Sequence, residues 1–110
     1  MRTLKSPGEI DDLFRSGRRG STELIMVLTT KTPEQRGPEG RVVFIAGKKL
    51  GGAVMRNRCK RVLRATTSRI GGPWPGYDVA IIARRDTATA APADLDVALR
   101  NALRKSGIEL

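Results

Sequence analysis

One segment of the sequence restricts the fold more than any other: residues 54–70, VMRNRCKRVLRATTSRI, which lie between two pairs of glycines. Placed on a helix at about 100° per residue, the segment separates into an apolar side and a cationic side. An amphipathic helix of this kind must bury its apolar side against another element of the fold. That side comprises Met55, Cys59, Val62, Leu63, Thr66 and Ile70.

The surface that receives this helix is predicted to be a β-sheet. Residues 23–30, 41–46 and 77–85 are rich in apolar and β-branched side chains and are bounded by turn residues, which is typical of strands. A short extra strand is predicted near residues 18–21. Residues 31–40 contain two prolines and no apolar side chain, which predicts a surface loop joining two antiparallel strands.

Two further helices are predicted near the ends of the sequence. Pro7–Ser16 follows Ser6, which is expected to form a capping box with Glu9, and it ends at Gly17, which is expected to be left-handed. The other helix is Pro92–Lys105. Their apolar stripes comprise Ile10, Leu13 and Phe14 in the first helix, and Leu95, Ala98, Leu99, Ala102 and Leu103 in the second.

The order of these elements predicts the fold class. Helix, strand, strand, helix, strand and helix follow one another, with the short extra strand as an addition. Segregated strands with one strand–helix–strand unit predict an α+β two-layer sandwich. At 110 residues the chain has the length of one domain, so residues 1–110 are expected to form a single domain.

Charge indicates the partner of this domain. The chain carries 21 Lys and Arg against 11 Asp and Glu, a net charge of +10, which favours a nucleic acid or an anionic membrane. Between Arg41 and Tyr77 there is no acidic residue. Like charges four residues apart on a helix repel, as in Arg56 with Lys60 and Lys60 with Arg64, and no carboxylate in this segment relieves them. The segment therefore predicts a surface that binds a polyanion.

Several classes of site are disfavoured by what the sequence lacks. Without histidine there is no imidazole for acid–base chemistry, and the commonest transition-metal ligand is missing. Cys59 lies on the apolar side of its helix, which indicates a core residue rather than a nucleophile. A single cysteine and no apolar run of signal or membrane-spanning length predict a cytoplasmic protein. Trp74, between two prolines, either covers a core edge or stacks on a base.

The segment GKKLGGAVMRNRCKRVLR, residues 47–64, closely resembles the signature of the bacterial ribonuclease P protein component, whose hallmark is an Arg-Asn-Arg box followed by Lys-Arg. The segments IDDLFRSG, RVVFIAGKK and YDVAIIAR are similar to other parts of that family, in the same order. The resemblance implies a mostly antiparallel sheet with an unusual left-handed strand–helix–strand crossover. General rules predict a right-handed one.

The resemblance also implies a function: the protein subunit of ribonuclease P, which binds a catalytic RNA and the 5′ leader of precursor tRNA and promotes endonucleolytic removal of that leader. The RNA is then the catalyst and holds the Mg²⁺ ions. No catalytic residue, metal site or obligate protein partner is expected in the protein. Carried over by position, the residues that face the catalytic RNA are Lys48, Lys49, Arg56, Asn57, Arg58, Lys60, Arg61 and Arg64.

The leader-binding residues implied by the resemblance are Ile10, Phe14, Arg15 and Arg18. The chain departs from the family pattern at Ile10 and Leu28, where aromatic residues are usual. A ribosomal or general RNA-chaperone protein is the alternative, because it would carry the same basic helix without a role in cleavage. A membrane-surface module ranks last, because the sheet needs the apolar side of the helix.

Overall fold

The computed structural model describes residues 3–110, except for the side chain of Arg36, and it confirms the predicted α+β class. Helix ends fall within one residue of the predicted ones, and ends of the longer strands within two. None of the helices described is long and apolar enough to cross a membrane. In chain order the elements are α1 (Pro7–Ser16), β1 (Arg18–Ser21), β2 (Ile25–Lys31), β3 (Arg41–Ile45), α2 (Ala53–Arg69), β4 (Tyr77–Ala83) and α3 (Pro92–Lys105).

The four strands form one mixed sheet in the order β1-β2-β4-β3. β2 is antiparallel to both β1 and β4, whereas β3 and β4 are parallel. The loop of residues 31–40 therefore joins strands that are not neighbours, because β4 lies between them. Parallel neighbours need a crossover connection, and α2 supplies it. The left-handed sense of this crossover stays a prediction.

Helices α2 and α3 pack on one face of the sheet and enclose the main core. Alternate residues of the strands point into it, among them Val27, Phe44 and Ile81. Cys59 and Trp74 are buried in the same core, which confirms the first as a core residue and decides the second in favour of a core edge. The predicted apolar stripe of α3 is buried throughout: Leu95, Ala98, Leu99, Ala102 and Leu103.

Helix α1 lies on the opposite face of the sheet, over a second and smaller core. Leu13 is fully buried there with Leu28, Ala80 and Leu4. The N–H of Leu4 donates to the carbonyl of Val42 at 2.7 Å, so the segment before α1 adds to the free edge of β3. This helix covers only part of its face. The sheet residues that stay partly exposed on this face include Met26, Val43, Ile45 and Ile82.

An ionic cluster attaches α1 to the sheet in place of the predicted capping box. Ser6 precedes the helix, but its side chain makes no capping hydrogen bond, so the capping-box prediction is wrong. Glu9 instead forms a bidentate ion pair with Arg41 of β3. Arg41 also contacts the buried Asp78 of β4 at 3.3 Å, and Asp78 accepts a hydrogen bond from Thr32 at 3.2 Å.

Two glycines near β1 are required by close packing. Gly17 ends α1 in an extended conformation (φ −68°), so the predicted left-handed stop is wrong. A Cβ at Gly17 would lie 2.4 Å from the carbonyl oxygen of Leu13, which explains the absence of a side chain. A Cβ at Gly20 would lie 1.9 Å from the carbonyl oxygen of Ala102, because the backbone of α3 rests directly on β1.

Candidate nucleic-acid interface

The outer face of α2 presents the cationic side of the amphipathic segment to solvent, while Leu63 and Thr66 on the inner side are fully buried. A shallow depression on the outer face is lined by Val54, Asn57, Lys60, Arg61 and Arg64. We call the residues that the resemblance assigned to the catalytic RNA the basic box: Lys48, Lys49, Arg56, Asn57, Arg58, Lys60, Arg61 and Arg64.

No described carboxylate neutralises the basic box. Ion pairs of the described carboxylates lie elsewhere: among them, Asp12 binds Arg15 at 3.8 Å, Glu9 and Asp78 bind Arg41, and Asp96 binds Arg69 at 2.9 Å. Like charges along α2 therefore repel without relief, at a cost of a few tenths of a kcal/mol per pair. A bound polyanion would remove this cost.

Two arginines of the basic box are held by the end of β3. Nε of Arg56 donates to the carbonyl of Ala46 at 3.2 Å, and Arg56 is only partly exposed. The guanidinium of Arg64 lies over the ring of Phe44, 5.1 Å from the ring centroid, which is within cation–π range. A guanidinium carries five N–H donors, so both arginines keep donors for a ligand.

Two of the three lysines of the basic box, Lys48 and Lys49, lie in a single 3₁₀ turn, Lys48–Leu50, directly before α2. Gly51 follows with φ +130°, a conformation that side chains other than glycine rarely adopt, and the chain then enters the helix. The first turn of α2 carries no acidic residue. The positive end of the helix dipole therefore adds to the field of the lysines.

A second surface, the open sheet face, lies on the opposite side of the sheet beside α1. Met26, Ile82 and Ile45 form a row across β2, β4 and β3, and each is partly exposed. Asp12 of α1 lines a depression at the covered end of this face. Phe14 lies on the opposite flank of α1 from Asp12, about 100° around the helix from the buried Leu13. It therefore borders the part of the sheet face that α1 leaves uncovered. It is 52% exposed.

Two arginines that sequence reasoning missed also border the open sheet face. Arg19 of β1 donates from Nε to the sulfur of Met26 at 3.2 Å. Nη1 of Arg84, directly after β4, donates to Oγ of Ser21 at 2.6 Å. Strand alternation gives the signal for Arg19, because its neighbour Gly20 faces α3 and Arg19 must face the other way. No local pattern indicates Arg84.

Comparison with known proteins decides the family. A model of the family Ribonuclease P matches residues 1–107. The chain belongs to the ribonuclease P protein family. The ribonuclease P protein component of Dehalococcoides mccartyi is 39% identical over 90 residues, which are 82% of this chain and 74% of that protein. The component from Geobacillus kaustophilus is 34% identical over 105 residues, 94% of this chain and 85% of that protein.

Solved structures of ribonuclease P proteins share the fold. The protein from Staphylococcus aureus superposes with a TM-score of 0.80 at 20% identity, covering 98% of this chain and 97% of that one. The protein from Thermotoga maritima gives a TM-score of 0.78 at 23% identity and covers both chains completely. The resemblance drawn from the Arg-Asn-Arg box is thus confirmed at the level of family and fold.

The structure brings Asn57, Lys60, Arg61 and Arg64 of the basic box together around one depression, whereas it separates the four residues assigned to the leader. Ile10 and Phe14 lie one turn apart on the same flank of α1. The side chain of Arg15 is 76% exposed on the outer side of the helix. Arg18 faces the α3 side of the sheet, where its guanidinium lies against Gly107. Neither Arg15 nor Arg18 therefore borders the open sheet face.

Proposed function

We propose that this chain is the protein subunit of ribonuclease P and that its basic box binds the catalytic RNA of that enzyme. The observation that carries the proposal is the depression on α2, where Asn57, Lys60, Arg61 and Arg64 converge with no carboxylate paired to them among the described residues. Phosphates of a folded RNA would offset the repulsion between these cations. The planar guanidinium of arginine can donate two hydrogen bonds to two oxygens of one phosphate, which favours RNA as the partner.

The open sheet face is proposed to bind the 5′ leader of precursor tRNA. A single strand offers bases that stack on aromatic or apolar side chains and phosphates that attract cations. Phe14 supplies the ring, and Met26 and Ile82 supply an aliphatic floor. Arg19 and Arg84 stand at its border with N–H donors to spare. Since the surface is poor in aromatic residues, we expect the leader affinity to be shared between stacking on Phe14 and several smaller contributions from the arginines at its border.

Cleavage itself is proposed to belong to the RNA and to Mg²⁺ ions that the RNA holds. Mg²⁺ takes oxygen ligands, chiefly carboxylates and phosphates, and the basic box offers cations and one amide. Glu9 and Asp78 already bind Arg41. In residues 3–110 no three His, Cys, Asp or Glu side chains are grouped so that they could hold a metal. The described residues therefore do not fit a Mg²⁺ site. The proposed contribution of the protein is to bind and orient the two RNAs, in the cytoplasm and without an obligate protein partner.

The first test measures RNA preference. The purified protein is titrated with its cognate ribonuclease P RNA and with a structured ribosomal RNA fragment of the same length. We expect tighter binding to the former, and a slope of log affinity against log salt of roughly −4 to −5 if about six phosphates are neutralised. Equal affinity for both RNAs would instead support a ribosomal or RNA-chaperone protein.

The second test measures cleavage of precursor tRNA at limiting Mg²⁺. The protein alone is expected to be inactive, and its addition to the catalytic RNA is expected to accelerate removal of the leader. A matched substrate with a leader of one nucleotide controls for binding of the tRNA body, because it cannot reach across the open sheet face. Cleavage by the protein alone that persists through repeated purification would contradict the proposal.

A further inference from the structure

The cations of the basic box on α2 differ in how the fold holds them. Arg56 donates to the carbonyl of Ala46, and Arg64 lies over the ring of Phe44. The remaining cations make no hydrogen bond, ion pair or ring contact with any described residue, and each is exposed. These unattached cations are Arg58, Lys60 and Arg61.

The end of β3 and the residue directly after it make both attachments. Phe44 and Ala46 are two residues apart and face α2 together, as alternate residues of a strand do. Arg56 and Arg64 are separated by eight residues of helix, about 12 Å along its axis. Along α2, the attached arginines therefore stand at the two ends of the row of box cations, and the unattached cations of the helix lie between them.

A side chain that is already held in the unbound protein loses less conformational entropy when RNA binds. A long side chain that is free in the unbound protein loses rotamer freedom when it grips a phosphate, which weakens affinity by about two- to tenfold for each side chain. A guanidinium already held by a carbonyl or a ring has lost part of that freedom during folding. The ring contact leaves its N–H donors available, because the cation lies over the ring face while the donors point outward from the edge of its plane.

We infer that the end of β3 pre-organises the basic box for RNA. Arg56 and Arg64 carry a larger share of the affinity than the cations between them, and Phe44 is the positioning residue of Arg64. The inference rests on the proposed function, since the ligand is the catalytic RNA. It adds a ranking among the cations of the box on α2 and a core residue, Phe44, that acts on the affinity through Arg64.

A double-mutant cycle tests the role of Phe44. Affinity for the cognate ribonuclease P RNA is measured for Phe44→Leu, for Arg64→Gln and for the double variant. We expect Phe44→Leu to weaken binding about two- to fivefold in the presence of Arg64, and to have no further effect on the Arg64→Gln protein. The same loss in both backgrounds would overturn the inference, because Phe44 would then act only through folding.

Two matched variants separate positioning from stability. Val42→Ala removes core volume from the same face of β3 without touching an arginine, so the folded variant should bind RNA like the wild type. Phe44→Tyr keeps a ring under the guanidinium and should also retain affinity. Loss of affinity in Val42→Ala as large as in Phe44→Leu would show that stability alone is responsible.

The Arg-Asn-Arg triplet provides a comparison that does not depend on folding of the Phe44 variants. Arg56 and Arg58 flank the same asparagine, but only Arg56 is attached to the fold. We expect Arg56→Lys to weaken RNA binding about five- to tenfold and Arg58→Lys only about twofold. A larger loss from Arg58→Lys would overturn the ranking.

Failure of this inference is distinguishable from failure of the proposed function. All variants are also measured on the structured ribosomal RNA fragment used as the control RNA. A wild type that shows no preference for the ribonuclease P RNA would contradict the proposed function. The double-mutant cycle of Phe44 and Arg64 can still be measured with the control RNA in that case. Absence of coupling between the two residues with both RNAs would overturn the inference that Phe44 pre-organises Arg64.

Discussion

The basic box and the open sheet face differ in how the chain builds them. Apart from Lys48 and Lys49, the box lies on one helix, and its residues are close in sequence, so a helical wheel suffices to find it. The open sheet face draws side chains from α1, β1, β2, β3, β4 and the turn after β4. A site that is contiguous in sequence can be predicted from local periodicity, whereas a site assembled from many elements requires the order of the strands.

The two surfaces also differ in physical character. The basic box is cationic and repels itself, so removing charge there should leave the fold intact or stabilise it slightly. The open sheet face depends on where α1 sits, and α1 is held by the small core and the ionic cluster of Glu9, Arg41 and Asp78. Substitutions can therefore affect one surface and leave the other unchanged.

The largest expected effect is on the basic box. Arg61→Ala combined with Arg64→Ala should weaken binding to the catalytic RNA by about 1.5–3 kcal/mol for each charged hydrogen bond lost. The free energy of unfolding should change little. Arg100→Ala with Arg104→Ala removes the same charge from the outer face of α3 and serves as the control in a binding titration. Unaltered binding by the first variant would refute the assignment of the box.

A somewhat smaller effect is expected for the helix that borders the open sheet face. Leu13→Ala deletes a fully buried side chain of the second core and should lower the free energy of unfolding by about 2–5 kcal/mol. Chemical denaturation measures this loss. In the folded variant, preference for leader-bearing over mature tRNA should fall while binding to the catalytic RNA persists. If the preference for leader-bearing tRNA and the binding to the catalytic RNA fall together, the two surfaces are not independent.

Phe14→Ala should affect the leader more selectively. Loss of the exposed ring should weaken binding of leader-bearing precursor tRNA by about 1–3 kcal/mol relative to mature tRNA, the range for base–aromatic stacking. Assembly with the catalytic RNA should be unchanged, and competition binding with both tRNAs provides the measurement. If both tRNAs lose affinity equally, the leader lies elsewhere.

The smallest expected effect concerns Arg84, one of the two arginines that sequence reasoning missed. Arg84→Gln should reduce leader affinity by about 0.5–1 kcal/mol, because interactions between exposed charges are screened by water. The neighbouring Arg85→Gln is the control, since Arg85 has no contact with Ser21 in the structure. A smaller salt dependence of leader binding should accompany the loss in Arg84→Gln alone.

The sequence predicted the local elements well, because their signals are local. The apolar stripe of α3, most of that of α2 and the boundaries of the three described α-helices follow from periodicity and from flanking glycine and proline. Met55 is the exception in α2, because it lies in the first turn, beyond the edge of the core, and is 40% exposed. The sequence-based predictions failed where a residue distant in sequence binds a side chain that was assigned to a near neighbour. Glu9 was assigned to Ser6, but Arg41, 32 residues away, captures its carboxylate. The side on which Arg18 faces depended on the pairing of β1, which the sequence did not indicate.

The unequal cores on the two faces of the sheet have a consequence for local opening. The main core ties α2 and α3 to β2, β3 and β4, while α1 is held by a few apolar side chains and one ionic cluster. Elements with few buried contacts open at lower free energy than the global transition. Backbone amides of α1 should therefore exchange with solvent deuterium well before those of α2 and α3. One border of the open sheet face can then detach briefly while the basic box keeps its shape.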